Sequence, residues 1–401
     1  MTTPFQRDMA KATELTRAGK LLEATDLIRS LLQGSGAADQ SQSAQISPQD
    51  VIDGEFTRLD SPTADPKPAA KPTVKPKAEA KPAPRAPQAK AVRSALSETL
   101  RKISAGGMPV HGPLSAAPTA APGASFLSLT YASAQGSRDY RLYIPAKRPD
   151  GLMPLVVMLH GCTQSPEDFA LGTGMNALAE EFGCLIAYPA QASGANAQKC
   201  WNWFRPEDQA RGRGEPALIA GLTQDIQQAY PADPKRTYIA GLSAGGAAAA
   251  LVAAAYPDVF AAVGVHSGLP AQGARDVGSA FAAMRSGTTG VPHRTALPTI
   301  VFHGLADGTV HPDNGSASLA QALAAMPKLR RSTRKDTTPG KRAHRVTAHR
   351  HDDGRSFAEH WEIDGAGHAW AGGHPKGSYT DPTGPDASAQ MLRFFLQHQR
   401  P

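Results

Sequence analysis

Short, mostly apolar runs recur through the C-terminal two-thirds of the chain, near residues 154–159, 185–189, 236–240, 261–266, 298–303 and 357–363. They are too short for buried helices and end in Gly-, Pro- or Asp-containing clusters, so they predict strands of a parallel sheet buried on both faces. Stretches with helical spacing lie between them, near 166–181, 214–230, 243–256, 314–325 and 386–399. Two alternating segments near 125–131 and 137–144 predict a leading antiparallel pair. Strands that alternate with helices imply an α/β fold, a mostly parallel doubly wound sheet with helices on both faces. The last helix carries Met391, Leu392, Phe394, Phe395 and Leu396 and is expected to cover one face of the sheet edge.

The N-terminal third follows other rules. Residues 5–33 show two pieces of helical periodicity, with Phe5, Met9 and Leu15 on one and Leu21, Leu22, Ala24, Leu27, Ile28 and Leu31 on the other, broken at Gly19. This predicts a helical hairpin over 1–35, too small to be stable unless it docks on something. Residues 61–88 hold eight prolines interleaved with Ala and Lys and no aromatic residue. Such a stretch cannot bury enough apolar area to offset chain entropy, so 36–115 reads as a disordered linker and 116–401 as the catalytic domain. Residues 61–105 carry ten Lys and Arg against three Asp and Glu, a surplus equal to the formal +7 of the whole chain. The basicity therefore belongs to the linker and is no sign of a nucleic-acid-binding face. It fits a solvated tether, or adhesion of residues 1–105 to an anionic granule surface or a protein partner. A second basic run, 328–350, is expected to be a solvated loop. No stretch approaches the roughly 20 apolar residues of a membrane span. The opening residues lack the apolar core of a secretory leader, which favours a cytoplasmic location.

The chemistry starts at Gly241-Leu242-Ser243-Ala244-Gly245. A strand-like run precedes this G-x-S-x-G and an Ala-rich helical run follows it, the context of a nucleophile elbow. A serine needs a base, and the base needs an acid to orient it. Asp307 follows the strand at 298–303, and His368 lies between small residues beyond the strand at 357–363, giving the order Ser, Asp, His. Asp313 in the same loop is the alternative acid, and His374 an alternative base. For the oxyanion, the N–H of Ala244 supplies one donor. The other is assigned to Cys162 in His160-Gly161-Cys162-Thr163-Gln164, with Thr163 as the fallback. Trp201, Trp203 and Trp370 are the candidate aromatic walls of a substrate crevice. No cysteine pair has zinc-ligand spacing, and a triad of this kind calls for neither metal nor cofactor.

Taken together, HGCTQ, CWNWF at 200–204, GLSAGG at 241–246, VHSGLP at 265–270, HGLADGTV at 303–310 and GAGHAWAGG at 365–373 resemble the esterase family of polyhydroxybutyrate depolymerases. The resemblance implies an α/β-hydrolase fold over roughly 120–400 and hydrolysis of esters in poly-3-hydroxybutyrate or related short-chain polyesters. It places Ser243, Asp307 and His368 on the family's nucleophile, acid and base. The same broad group contains feruloyl and acetylxylan esterases, the alternative substrates. A third reading is a granule- or partner-binding module with a weak hydrolase domain. The family's secreted members suggest a Cys162–Cys200 disulfide, whereas a reducing compartment would leave two thiols.

Overall fold

The computed structural model describes residues 120–291, 296–326 and 328–401. The hairpin and linker expected over 1–35 and 36–115 lie outside the described residues.

Ten strands form one sheet. In chain order they are β1 (Ser125–Ser133), β2 (Gly136–Ile144), β3 (Met153–Leu159), β4 (Leu185–Pro189), β5 (Ala232–Leu242), β6 (Ala262–His266), β7 (Thr299–Gly304), β8 (Arg330–Asp336), β9 (His344–Arg350) and β10 (Ser356–Ile363). The spatial order is β1-β2-β4-β3-β5-β6-β7-β10-β9-β8. Strands β4, β3, β5, β6, β7 and β10 run parallel, while β1 and β2 at one edge and β9 and β8 at the other pair antiparallel.

The central strands read as continuous apolar runs because both faces are covered. In β3, Leu155, Val157 and Leu159 point into one core and Val156 and Met158 into the other, the period-2 consequence of the pleat. Helices α3 (Gly214–Ala229) and α4 (Ala244–Ala255) close the first face. The second is closed by α1 (Pro166–Thr173), α2 (Met175–Phe182) and α7 (Ala387–Phe395). Two further helices, α5 (Val277–Ser286) and α6 (Asp313–Leu323), follow β6 and β7.

Three expectations are corrected and one helix is added. The helix expected over 166–181 is broken at Gly174, whose left-handed φ of 65° ends α1 and starts α2; glycine enters that region without a Cβ penalty. The basic run 328–350 is not a loop: β8 and β9 form a hairpin that extends the sheet past β10. Helix α5 was not expected; a capping box between Asp276 and Ser279 starts it. Helix α7 lies over the middle of the sheet, not its edge. Phe395 stacks on Tyr238 of β5 at 5.0 Å, and a Cβ on Gly264 of β6 would sit 2.8 Å from Met391 Sδ.

Candidate active site

The loops after β3, β5, β7 and β10 meet at the C-terminal edge of the parallel strands, where ligands bind in open α/β sheets. Ser243 occupies the turn between β5 and α4 with φ 58° and ψ −121°, a conformation that costs a non-glycine residue about 1–3 kcal/mol. Its N–H donates to His266 O at 2.9 Å. The flanking glycines are required by close approach. A Cβ on Gly241 would come within 2.7 Å of Leu159 O, and one on Gly245 within 2.5 Å of His160 O. The elbow is thus pressed against the end of β3, which sets Ser243 beside the loop starting at His160.

That loop is organised so that one N–H stays unengaged. Gly161 N–H donates to Gln164 Oε1 at 2.9 Å, Thr163 N–H to Gln198 O at 2.7 Å, and Gln164 N–H to Gly161 O at 3.4 Å. Cys162 N–H has no such partner among the described residues. Thr163, the fallback donor, is already spent on Gln198. The N–H of Ala244 opens the first turn of α4, whose amides have no carbonyl one turn back. A disulfide joins Cys162 to Cys200, so the loop is also held covalently.

Beyond β7, Asp307 is buried and makes three bonds. Its Oδ1 accepts from Thr309 N–H and Val310 N–H, both at 2.9 Å, and its Oδ2 accepts from His368 Nδ1 at 2.7 Å. Burial alone would raise this carboxyl's pKa, but the His368 imidazole, His303 and the Val310 amide outweigh it and hold it below its ordinary 3.8. Asp313 begins α6 with a side chain 71% exposed and lies beside His311, at 3.5 Å. His374 is exposed on the surface. The structure therefore brings Asp307 and His368 together, and neither alternative joins them. With Nδ1 taken, His368 has Nε2 available. No hydrogen bond joins Nε2 to Ser243 Oγ among the described residues; in resting sites such contacts are often long and tighten in the Michaelis complex. His266 links the two halves: its carbonyl holds Ser243, and its Nε2 accepts from Ala371 N–H at 2.9 Å, three residues beyond His368. Burial pushes this imidazole down to about 3, so it acts as a neutral strut.

The aromatic walls are a correction. Trp201 is 0% and Trp370 1% exposed. Trp201 Nε1 donates to His160 O at 3.0 Å. Trp370 Nε1 donates to Ser388 Oγ at 3.0 Å, and its ring stacks on His266 at 4.9 Å. Both rings are core, and Trp203, also buried at 6%, packs edge-on against Phe204 at 5.7 Å.

Sequence reasoning missed Glu215. Buried at the start of α3, it accepts from Asn202 N–H at 2.7 Å, Asn202 Nδ2 at 2.9 Å and Gln191 Nε2, with Arg138 Nη2 at 3.4 Å. Gln191 N–H in turn donates to His160 Nε2 at 3.1 Å, and Gln191 Nε2 also donates to Cys200 O at 2.9 Å. The carboxylate thus anchors both the oxyanion loop and its disulfide partner. A lone Glu in a first helical turn ordinarily reads as an exposed, dipole-favoured residue, so the sequence carried no signal for this role.

A serine elbow after the fifth strand of this order, with an Asp–His pair from the loops beyond the later strands, defines an α/β-hydrolase. The fold likeness extends to the acetyl xylan esterase from Aspergillus awamori, with a TM-score of 0.53 at 18% identity over 68% of this chain and 99% of that one. The chain belongs to the esterase PHB depolymerase family, whose model matches residues 138–344. That match contains Ser243 and Asp307 and ends before His368. Among relatives, poly(3-hydroxyalkanoate) depolymerase C of Paucimonas lemoignei is 33% identical over 61% of this chain and 62% of its own length. Feruloyl esterase B of Neurospora crassa is 29% identical over 48% of this chain and 73% of its own length. The matched region therefore spans less than two-thirds of the depolymerase.

Proposed function

We propose that the protein is a serine carboxylesterase that hydrolyses ester bonds of poly-3-hydroxybutyrate or related short-chain hydroxyalkanoate polyesters and oligomers. The observation that carries this reading is the 2.7 Å Asp307–His368 hydrogen bond, held at the same sheet edge as the strained Ser243. In the proposed mechanism His368 Nε2 takes the Ser243 proton as Oγ attacks the ester carbon. The N–H groups of Cys162 and Ala244 receive the oxyanion, where preorganised donors lower the barrier most. Collapse breaks the bond to the alcohol end of the polymer, which leaves with the proton from His368. Water, deprotonated by His368, then releases the acid and restores Ser243. Asp307 keeps the imidazole in the required tautomer and stabilises the imidazolium.

Family membership and the depolymerase relative support a polyester substrate. The feruloyl esterase relative supports the second reading, a carboxylesterase acting on feruloyl or acetyl-xylan esters. Parallel assays on p-nitrophenyl butyrate, amorphous hydroxybutyrate polymer and methyl ferulate separate them. The polyester reading predicts turnover of the first two, and a strong preference for methyl ferulate would replace it. Inactivity on all three would favour a binding module. Attachment to a polymer granule or a partner through residues 1–105 is part of the same proposal.

A further inference from the structure

A short crosspiece connects the oxyanion loop with the loop that carries His368. Its strand β12 (Thr380–Asp381) pairs in parallel with β11 (Trp370–Ala371). The residues just before it are tied down from both sides. Ser378 N–H donates to Asp168 Oδ1 at 2.9 Å, Gln164 Nε2 donates to Ser378 O at 3.1 Å, and Trp370 N–H donates to Tyr379 O at 2.7 Å. Gln164 is the residue that also receives Gly161 N–H in the oxyanion loop.

Tyr379 sits at the centre of this arrangement with φ 52°. A turn that only needed to close would carry glycine or asparagine at such an angle. The Tyr379 ring packs against the second core, and the cost of holding a tyrosine there points to its side chain. Its hydroxyl lies 3.3 Å from Thr163 Oγ1, one residue along from Cys162 and its unengaged N–H; the Thr163 proton goes to Cys162 O at 2.6 Å, so the tyrosine is the donor in this long contact. Thr163 is exposed and Tyr379 half-buried, so neither residue is sealed into the core. Trp201 and Trp370, by contrast, are sealed into the core.

We propose that Tyr379 is a specificity-determining residue of the esterase site, its hydroxyl turning from the long Thr163 contact to donate its one proton to the ester carbonyl of the repeat unit next to the scissile one. The proposal rests on the polyester reading above. A hydroxyalkanoate chain carries such a carbonyl on every unit, whereas a simple butyrate ester has only the one that is attacked. An acceptor met by a positioned donor improves binding, and its loss should appear only with substrates long enough to reach it.

The test compares wild type with Tyr379→Phe and Tyr379→Leu on a linear 3-hydroxybutyrate trimer and on p-nitrophenyl butyrate. Tyr379→Phe should raise KM for the trimer about fivefold, the scale of one neutral hydrogen bond, with kcat within about twofold. Both constants for p-nitrophenyl butyrate should stay within about twofold, which also certifies a folded enzyme. Tyr379→Leu, which removes the ring as well, should raise the trimer KM further. Unchanged trimer kinetics in both variants would overturn the proposal. So would an equal loss on both substrates, because the hydroxyl would then act through Thr163 on the oxyanion loop. A wild-type enzyme that cleaves p-nitrophenyl butyrate but not the trimer would overturn the polyester reading itself, and one that cleaves neither would overturn the esterase reading.

Discussion

Ser243 and Asp307 show how single side chains are made chemically competent by their backbone surroundings. The serine is held out of the ordinary Ramachandran regions by glycines that nothing larger can replace. The aspartate is buried, and two loop amides and an imidazole hold it ionised. The proposed triad of Ser243, Asp307 and His368 could be picked out in the sequence because the chemistry demands fixed neighbours: small residues about the nucleophile, a strand end before the acid and a base after both in chain order. The choice between Asp307 and Asp313 can be checked directly. Asp307→Asn should lower kcat for p-nitrophenyl butyrate by roughly a thousandfold, since the imidazole loses its orienting charge. Asp313→Asn, at an exposed helix start, should stay within about twofold of wild type. Steady-state kinetics of the two variants decide it, and a larger loss from Asp313→Asn would reverse the assignment.

At the scale of elements, the strands buried on both faces were legible because their environment admits only apolar side chains. Strand β8, RRSTRKD, was not. It is an edge strand with exposed residues on both faces, and charged edges of that kind guard a sheet against pairing with other chains. Its composition records solvent and carries no period-2 signal. The three tryptophans misled for a related reason: aromatic residues beside a motif look like walls, yet the same loops must be packed from beneath to be rigid. Glu215 belongs to that support. Glu215→Gln places an amide donor among Asn202 and Gln191 donors, which should loosen the oxyanion loop through Gln191 and His160. We expect kcat to fall roughly ten- to a hundredfold with KM nearly unchanged, the signature of lost transition-state alignment. A rise in KM alone, measured on p-nitrophenyl butyrate, would show that Glu215 shapes substrate binding instead.

Across the whole molecule, the buried imidazoles set a pH limit. Burial pushes His160, His360 and His398 down to about 4 and His266 to about 3, whereas an unfolded chain takes up these protons near 6.5. The folded state therefore binds fewer protons, and stability falls as pH drops from about 6.5 toward 4. Thermal unfolding should show a midpoint lower by roughly 10 °C at pH 5 than at pH 7.5; a flat profile would mean that these histidines titrate freely. Removing residues 1–105 leaves every proposed site residue in place, so turnover of p-nitrophenyl butyrate should stay within about twofold while attachment to polymer granules weakens. A parallel loss of turnover would show that the N-terminal segment supports the site. Every step of the proposed mechanism depends on Ser243 as nucleophile. Kinetics of Ser243→Ala on p-nitrophenyl butyrate, with circular dichroism to verify the fold, test it most directly. The mechanism predicts a loss of at least about 10⁴-fold, and a folded variant that keeps more than about a tenth of wild-type turnover would contradict it.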